Sequence, residues 1–304
     1  MPDPQSKTIS ASQAPALWNA SPYATRWMLW QQFANGVVMD QPETSRMRWG
    51  KLLEPVILKE VAKAWKFEVH RNIGYVRRGL LGATRDATIF APGRGPGAVE
   101  IKCVFSYDTW MQDWQGGKCP PRQHEIQLQT QMLVGPGDTD GDAPYGWGLL
   151  VAWVASDMYF FERQPIPALW AQLDIEAARF FSSVEKREEP EAFGAEVEIP
   201  WLTSLFPTVK DQVLDLSADH AHVKTAEDLR LYDTYKQQAA GSRRATEEFR
   251  AKFLALAKDA QFVKLPCGFS YRVQKSGNGK TIVPIIPEVP LDPPPVPESI
   301  LMGG

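Results

Sequence analysis

The chain predicts an α/β (α+β) fold, a mixed central sheet flanked by helices, on three observations. Apolar residues recur first at helical spacing, then at strand spacing, and the two patterns alternate as helix, strands, helix, strands, helix. The 304 residues are 44% hydrophobic and 23% charged, enough for a sizeable core in one or two domains. Beyond about Asp211 the character changes to charged helical sequence followed by apolar–polar alternation, which predicts a helical-hairpin plus β-hairpin extension.

Each element has its own signal. In Ile9–Gly36 the positions Ala16, Leu17, Ala20, Trp27, Leu29, Trp30 and Phe33 have helical spacing interrupted by Ser21-Pro22. Two short helices are expected, the second capped by Ser21 with Pro22 at its first position and stopped near Gly36. A helical stripe runs through Thr44–Phe67 (Met47, Leu52, Leu53, Val56, Ile57, Val61, Ala64, Trp65), and Pro55 inside it predicts a kink or a local restart. Strands follow at Ile73–Val76, Leu80–Ala83, Asp86–Phe90 and, after the Gly/Pro loop Pro92–Gly97, at Ala98–Val104. The loop Trp110–Pro121 leads into a helix over Gln123–Leu133. A turn at Asp138–Pro144, strands at Trp147–Val154 and Met158–Glu162, and a long helix Ile166–Lys186 complete this part. Thr225–Ala260 reads as two helices broken at Ala240-Gly241-Ser242, and Phe262–Val283 as a hairpin around Gly277-Asn278-Gly279. The domains expected are 1–210, 211–283 and a proline-rich tail, 284–304, extended and disordered.

Composition excludes several classes. Cys103, Cys119 and Cys267 are too few and too scattered for a disulfide framework, a CxxC zinc site or a four-cysteine iron–sulfur cluster, so a reducing cytosol is expected. No stretch approaches the roughly 20 apolar residues of a membrane span, and the first residues lack the apolar run of a signal peptide. The net charge of −3 hides a segregation: 16 Lys+Arg against 11 Asp+Glu over 1–130, 5 against 16 over 131–223, and 12 against 9 over 224–304. The basic front is compatible with a polyanion on one face, and ordinary solvated surface is the competing account.

Four short pieces carry the chemistry. Glu100-Ile101-Lys102 lies on a predicted strand, where residues i and i+2 face the same way, so a carboxylate and an ammonium project side by side. Asp86, about one hairpin earlier, can meet Glu100 from an antiparallel neighbour. Glu54 sits at the edge of the apolar stripe of its helix, where a carboxylate needs a partner. Gln127 and Gln131 are one helical turn apart. Hard Mg²⁺ takes oxygen ligands; Asp86 and Glu100 offer carboxylates and Ile101 a carbonyl. Lys102 could position or help deprotonate an attacking water, or stabilise charge on phosphorus. The competing account makes Glu100 and Lys102 a surface ion pair and Asp86 a turn residue.

The order WGKLLEP, GATRD, VEIKC, QLQTQ, with the opening ISASQAPAL…SPYATRWMLWQQFANG, resembles the YqaJ-type viral recombinase family, close in pattern to the lambda exonuclease, within the PD-(D/E)xK nuclease superfamily. The similarity runs from about Ile9 to Lys186. The resemblance implies a PD-(D/E)xK core over 1–210 and a Mg²⁺-dependent nuclease degrading linear double-stranded DNA from 5′ ends, leaving 3′ single strands for a single-strand annealing protein. It implies two Mg²⁺ per site, with Mn²⁺ as a substitute. Glu54 then matches the helical acidic residue, Asp86 and Glu100 the metal ligands, Lys102 the catalytic lysine and Gln127 the first glutamine of a QxQ motif. Ser12 and Thr84 fall where the family places hydroxyls near the terminal phosphate, with Arg85 or Lys7 to pair with it; a helix N-cap is the other account of Ser12. Ala87 departs from the family's Asp-Gly, and the turn after Asp86 is expected to differ. The family also implies a homo-oligomer such as a trimer, and a phage-encoded or prophage-derived protein in the bacterial cytoplasm. The alternatives are a nuclease of the same superfamily with endonuclease or single-strand preference, and a DNA-binding or assembly protein whose site has decayed. His124 is expected to be a satisfied polar histidine, Cys103 a small buried hydrophobe, and Tyr107, Trp110 and Trp114 either core or a surface that stacks on DNA ends.

Overall fold

In this computed structural model, which describes residues 8–39, 43–71, 74–136, 143–238, 243–266, 270–276 and 279–285, the chain begins with β1 (Ile9–Ser10) and a short 3-10 turn at Ala14–Trp18. Helix α1 (Arg26–Asn35) starts later than expected, because Thr25 and not Ser21 supplies the cap: its hydroxyl accepts the Met28 N–H at 3.3 Å. Ser21 instead accepts from the Tyr23 N–H. Gly36 ends the helix at φ 64°, the left-handed conformation glycine tolerates. Helix α2 (Ser45–Trp65) is capped by Thr44 and passes through Pro55 without a restart. Its C-terminal half buries Ile57, Leu58 and Val61, whereas Met47, Leu52 and Val56 of the expected apolar stripe are about half exposed.

Then come β2 (Glu68–Arg71), β3 (Val76–Arg78), β4 (Leu81–Ala83), β5 (Ala87–Ala91), β6 (Gly95–Val104), α3 (Tyr107–Gln112), α4 (Arg122–Val134), β7 (Gly148–Val154), β8 (Asp157–Arg163) and α5 (Pro167–Glu185). The main sheet has the order β2-β5-β6-β7-β8; β6 and β7 run parallel and the other pairs antiparallel, giving the mixed central sheet expected. A second sheet, β1-β4-β3, stands apart. Along β6 the pleat sends Val99 and Ile101 toward Ile57, Leu58 and Val61 of α2, and Ala98 and Val104 toward Leu128 and Met132 of α4. Glu100 and Lys102 therefore share the α4 face. Gly148 of β7 lets α4 lie close to the sheet, since a Cβ there would meet the Met132 sulfur at 2.8 Å.

The chain divides into two compact units, Met1–Phe193 and Gly194–Gly304, with the division ahead of the Asp211 expected from composition. The second unit contains α6 (Ile199–Leu205), β9 (Val209–Asp215), α7 (Val223–Gln238), α8 (Arg243–Ala257), β10 (Ala260–Lys264), β11 (Ser270–Ser276) and β12 (Gly279–Ile285). The predicted hairpin Phe262–Val283 is in fact part of a four-stranded sheet, β12-β11-β10-β9, in which β9 joins parallel to β10. Pro284 pairs with Tyr271 inside β12, so it belongs to the sheet and not to the tail. Residues 286–304, the predicted break at Ala240-Gly241-Ser242, Gly277-Asn278 and most of the predicted turn Asp138–Pro144 lie outside the described residues. Among the described residues no helix is long and apolar enough to cross a membrane.

Candidate active site

An open cleft of about 530 Å³ in the first unit is lined by Glu54, Asp86, Glu100, Ile101 and Lys102, with Tyr23, Arg46, Gln123, Trp114 and His124 around them. Three elements bring the charged groups together. The β5–β6 ladder ends at Ala87↔Val99, so β6 continues past its neighbour with an open edge at Ile101. Asp86, one residue before β5, fills that edge: its Oδ2 accepts the Ile101 N–H at 2.7 Å. Ala87 pairs normally as the first residue of β5 and is not among the residues of positive φ, so the missing glycine leaves no strain there.

Glu100 is only 3% exposed, which rules out a surface ion pair. Three donors hold it. Its Oε1 accepts from Gln127 Nε2 at 2.7 Å and from Lys102 Nζ at 2.6 Å, while Oε2 accepts from Gln131 Nε2 at 2.5 Å. Gln127 thus stands behind Glu100 in the layer of α4. Glu54 faces the cleft from α2 and is paired with Arg71 of β2 at 3.0 Å. The partner its position demanded is therefore an arginine from the neighbouring edge strand.

The electrostatics follow from this crowding. Burial, and then the Glu100 charge, push the Asp86 carboxyl well above its usual range, against the Ile101 N–H and Lys102. Burial acts to pull the Lys102 ammonium down, but Glu100 and Asp86 outweigh it, and the group is held above the ordinary lysine value. His124 is driven down to about 3 by burial and by Lys102, and so is neutral. Its ring lies against Trp114 and its Nδ1 has no hydrogen-bond partner among the described residues, so it is not the satisfied polar histidine expected. Cys103, half-buried on the α2 side, has its thiol pushed up to about 11, chiefly by burial, and is inert as a thiolate.

The other expected residues divide. Ser12 and Thr84 follow the paired strands β1 and β4 but neither lines the cleft. Ser12 contacts Ser10 Oγ at 3.1 Å and caps no helix, since the 3-10 turn takes Gln13 as its N-cap residue. Arg85 is buried, donating to the Gly135 carbonyl with its guanidinium over the Tyr145 ring, and does not reach the cleft either. Lys7 lies outside the described residues. Trp110 and Trp114 are core, whereas Tyr107 is 71% exposed. Sequence reasoning missed Gln131 as a partner of Glu100, although its i, i+4 spacing from Gln127 was a usable signal. No sequence signal marked Tyr23 or Arg46.

Residues 4–140 match the family model described as YqaJ-like viral recombinase domain. The matched segment lies wholly within the first unit and spans a little under half of the chain. All the cleft residues named above fall within the matched segment. Among solved structures, the chain is similar to an alkaline exonuclease from Laribacter hongkongensis, at 19% identity and a TM-score of 0.48 over 60% of this chain and 90% of that one. It is also similar to a phage-related exonuclease from Haemophilus somnus 129PT, at 10% identity and a TM-score of 0.46 over 59% and 94%. No curated protein matches the chain.

Proposed function

We propose that the YqaJ-like domain is a Mg²⁺-dependent exonuclease of phage-type recombination, degrading linear duplex DNA from 5′ ends to leave 3′ single strands. The observation that carries this reading is the single cleft in which Asp86, Glu100 and Lys102 meet, with Glu100 clamped by three donors.

The donor set fits a hard divalent cation. Asp86 and Glu100 offer carboxylate oxygens. In an extended strand the N–H and C=O of one residue face the same neighbour, so the Ile101 carbonyl faces the same open edge as the N–H that Asp86 accepts. Two carboxylates and a carbonyl are hard oxygen donors, the kind that hold Mg²⁺ or Mn²⁺ while the ion keeps water and phosphate ligands. A bound pair of such ions would supply an activated water and offset charge on the scissile phosphate.

The chain's own residues do the remainder. Lys102, ion-paired with Glu100 at 2.6 Å at the cleft, is placed to stabilise negative charge on the phosphate. Gln127 orients Glu100, and Arg71 holds Glu54 at the wall of the cleft. The resulting 3′ strand would pass to a single-strand annealing protein in the bacterial cytoplasm. Self-association into a ring, such as a trimer around the duplex, would account for processive digestion, and light scattering that finds a monomer at micromolar concentration would remove that part.

End-labelled linear duplex with a 5′-phosphate, linear single strand and closed circular plasmid should be digested side by side with Mg²⁺. Stepwise loss confined to the linear duplex is expected. Nicking of the plasmid or preference for single strand would replace the exonuclease reading, and no cleavage of any substrate would end it.

A further inference from the structure

From the hydrogen bonds around Glu100 we infer that Gln131 is a positioning residue for the metal-binding carboxylate, tying Glu100 to the loop that carries Asp86; this rests on the nuclease reading above. The terminal torsion of a glutamate is soft, so a carboxylate anchored by one oxygen still rotates. Gln127 and Lys102 both bind Oε1, and Gln131 is the partner of Oε2 among the described residues. The same Gln131 Nε2 also donates to the Thr84 carbonyl at 3.3 Å, two residues before Asp86. One amide nitrogen thereby links the two chain segments that bear the two carboxylates.

The amide orientation is set by its surroundings. A flipped side chain would aim its oxygen at the Glu100 carboxylate and the Thr84 carbonyl, where no donor stands. In the orientation observed, Oε1 of Gln131 is buried without a hydrogen-bond partner among the described residues, and the residue is fully inaccessible. An apolar side chain would fill this position on α4 with no bare oxygen but would leave Glu100 Oε2 without this donor, so what the glutamine adds is the pair of donor bonds to Glu100 and Thr84.

Helix α4 contains its own control. Gln129 is equally buried, but its oxygen accepts from the Ile166 N–H at 3.0 Å and Trp170 Nε1 at 2.9 Å, and its Nε2 donates to the Gln164 carbonyl at 2.8 Å. It fastens the start of α5 and touches neither carboxylate. Two buried glutamines two residues apart thus have separate duties.

Gln131→Met and Gln129→Met should be compared by Mg²⁺ calorimetry without DNA, by melting temperature and by kcat at saturating Mg²⁺. Outer partners of metal ligands are typically worth about tenfold in metal affinity. Gln131→Met is expected to weaken Mg²⁺ binding about tenfold and lower kcat, with a lower melting temperature from the carboxylate oxygen that loses its donor; Gln129→Met is expected to melt lower with Mg²⁺ affinity unchanged. Should Gln131→Met lack a cooperative melt, Gln131→Asn, an amide one methylene short, carries the same expectation. Wild-type Mg²⁺ affinity in the folded Gln131 variant, or equal loss in both positions, would overturn the assignment. A wild-type protein that neither binds Mg²⁺ nor cleaves DNA would instead refute the nuclease reading on which it rests.

Discussion

Each unit of the molecule takes a lysine out of water, and the two are treated differently. Lys102 of β6, its side chain 25% exposed, lies 2.6 Å from the Glu100 carboxylate with Asp86 close by, and its ammonium is held above the ordinary range. Lys280 of β12, 3% exposed, donates to the carbonyls of Phe206 and Lys258; burial draws it below the ordinary range, and Asp259 only partly opposes this. Neutral carbonyls satisfy an ammonium's hydrogens without repaying its lost hydration, whereas carboxylates do both. The first arrangement keeps a charge beside an open cleft. The second closes helix and strand ends together and leaves nothing for chemistry.

The sharpest way to break this contrast is Lys102→Ala. Cleavage of end-labelled duplex should fall about 10³-fold, with duplex binding in a mobility-shift assay retained; full activity would place Lys102 with Lys280 as a structural lysine. Asp86→Asn should abolish the calorimetric Mg²⁺ signal and also show what the acidic cluster costs the fold. A carboxyl whose folded value is raised gives stability that is present below the unfolded value of 3.8 and is lost as pH rises. Without metal, therefore, the variant should melt a few degrees above wild type at pH 7, and the gap should close near pH 4.

His124 tests the wall of the same cleft. Its folded value of about 3 lies below the ordinary 6.5, so its contribution is present above pH 6.5 and is lost as pH falls toward 3. Wild type should lose on the order of 2–4 kcal/mol over that window that His124→Phe does not lose, read from denaturant melts at each pH. The smallest effect belongs to Lys280→Met. The bonds lost to two carbonyls and the removed ammonium roughly cancel, so stability should move by less than about 2 kcal/mol, with nuclease activity unchanged. A loss of activity there would give Lys280 a role that its carbonyl partners do not suggest.

Local rules carried much of this to the right place. The period of two along Glu100-Ile101-Lys102 put carboxylate and ammonium on one face, and the hairpin spacing put Asp86 beside them; β6 and its pairing with β5 realise both. Helix α4, the stop at Gly36 and the pair α7 and α8 were equally legible. The cap of α1 was not, because Ser21 and Thr25 are both competent hydroxyls and the path of the chain decides which one reaches an amide three residues on. Strand β9 was also missed: six of its seven residues are exposed, so it has no alternation to read, and its partner β10 lies about fifty residues away. Arg85, set beside Asp86 in the sequence, turns instead into the core.

From residue identity and spacing alone come the order of the chemistry-bearing groups and the faces they share, since pleat and helical turn are backbone periodicities that every chain obeys. Burial of Glu100, the charge kept on Lys102, the neutral His124 and the separation of Gln131 from Gln129 come from elements that meet only in the folded chain. Desolvation and Coulomb energies depend on distances across those meetings, and such distances are written nowhere in the local sequence.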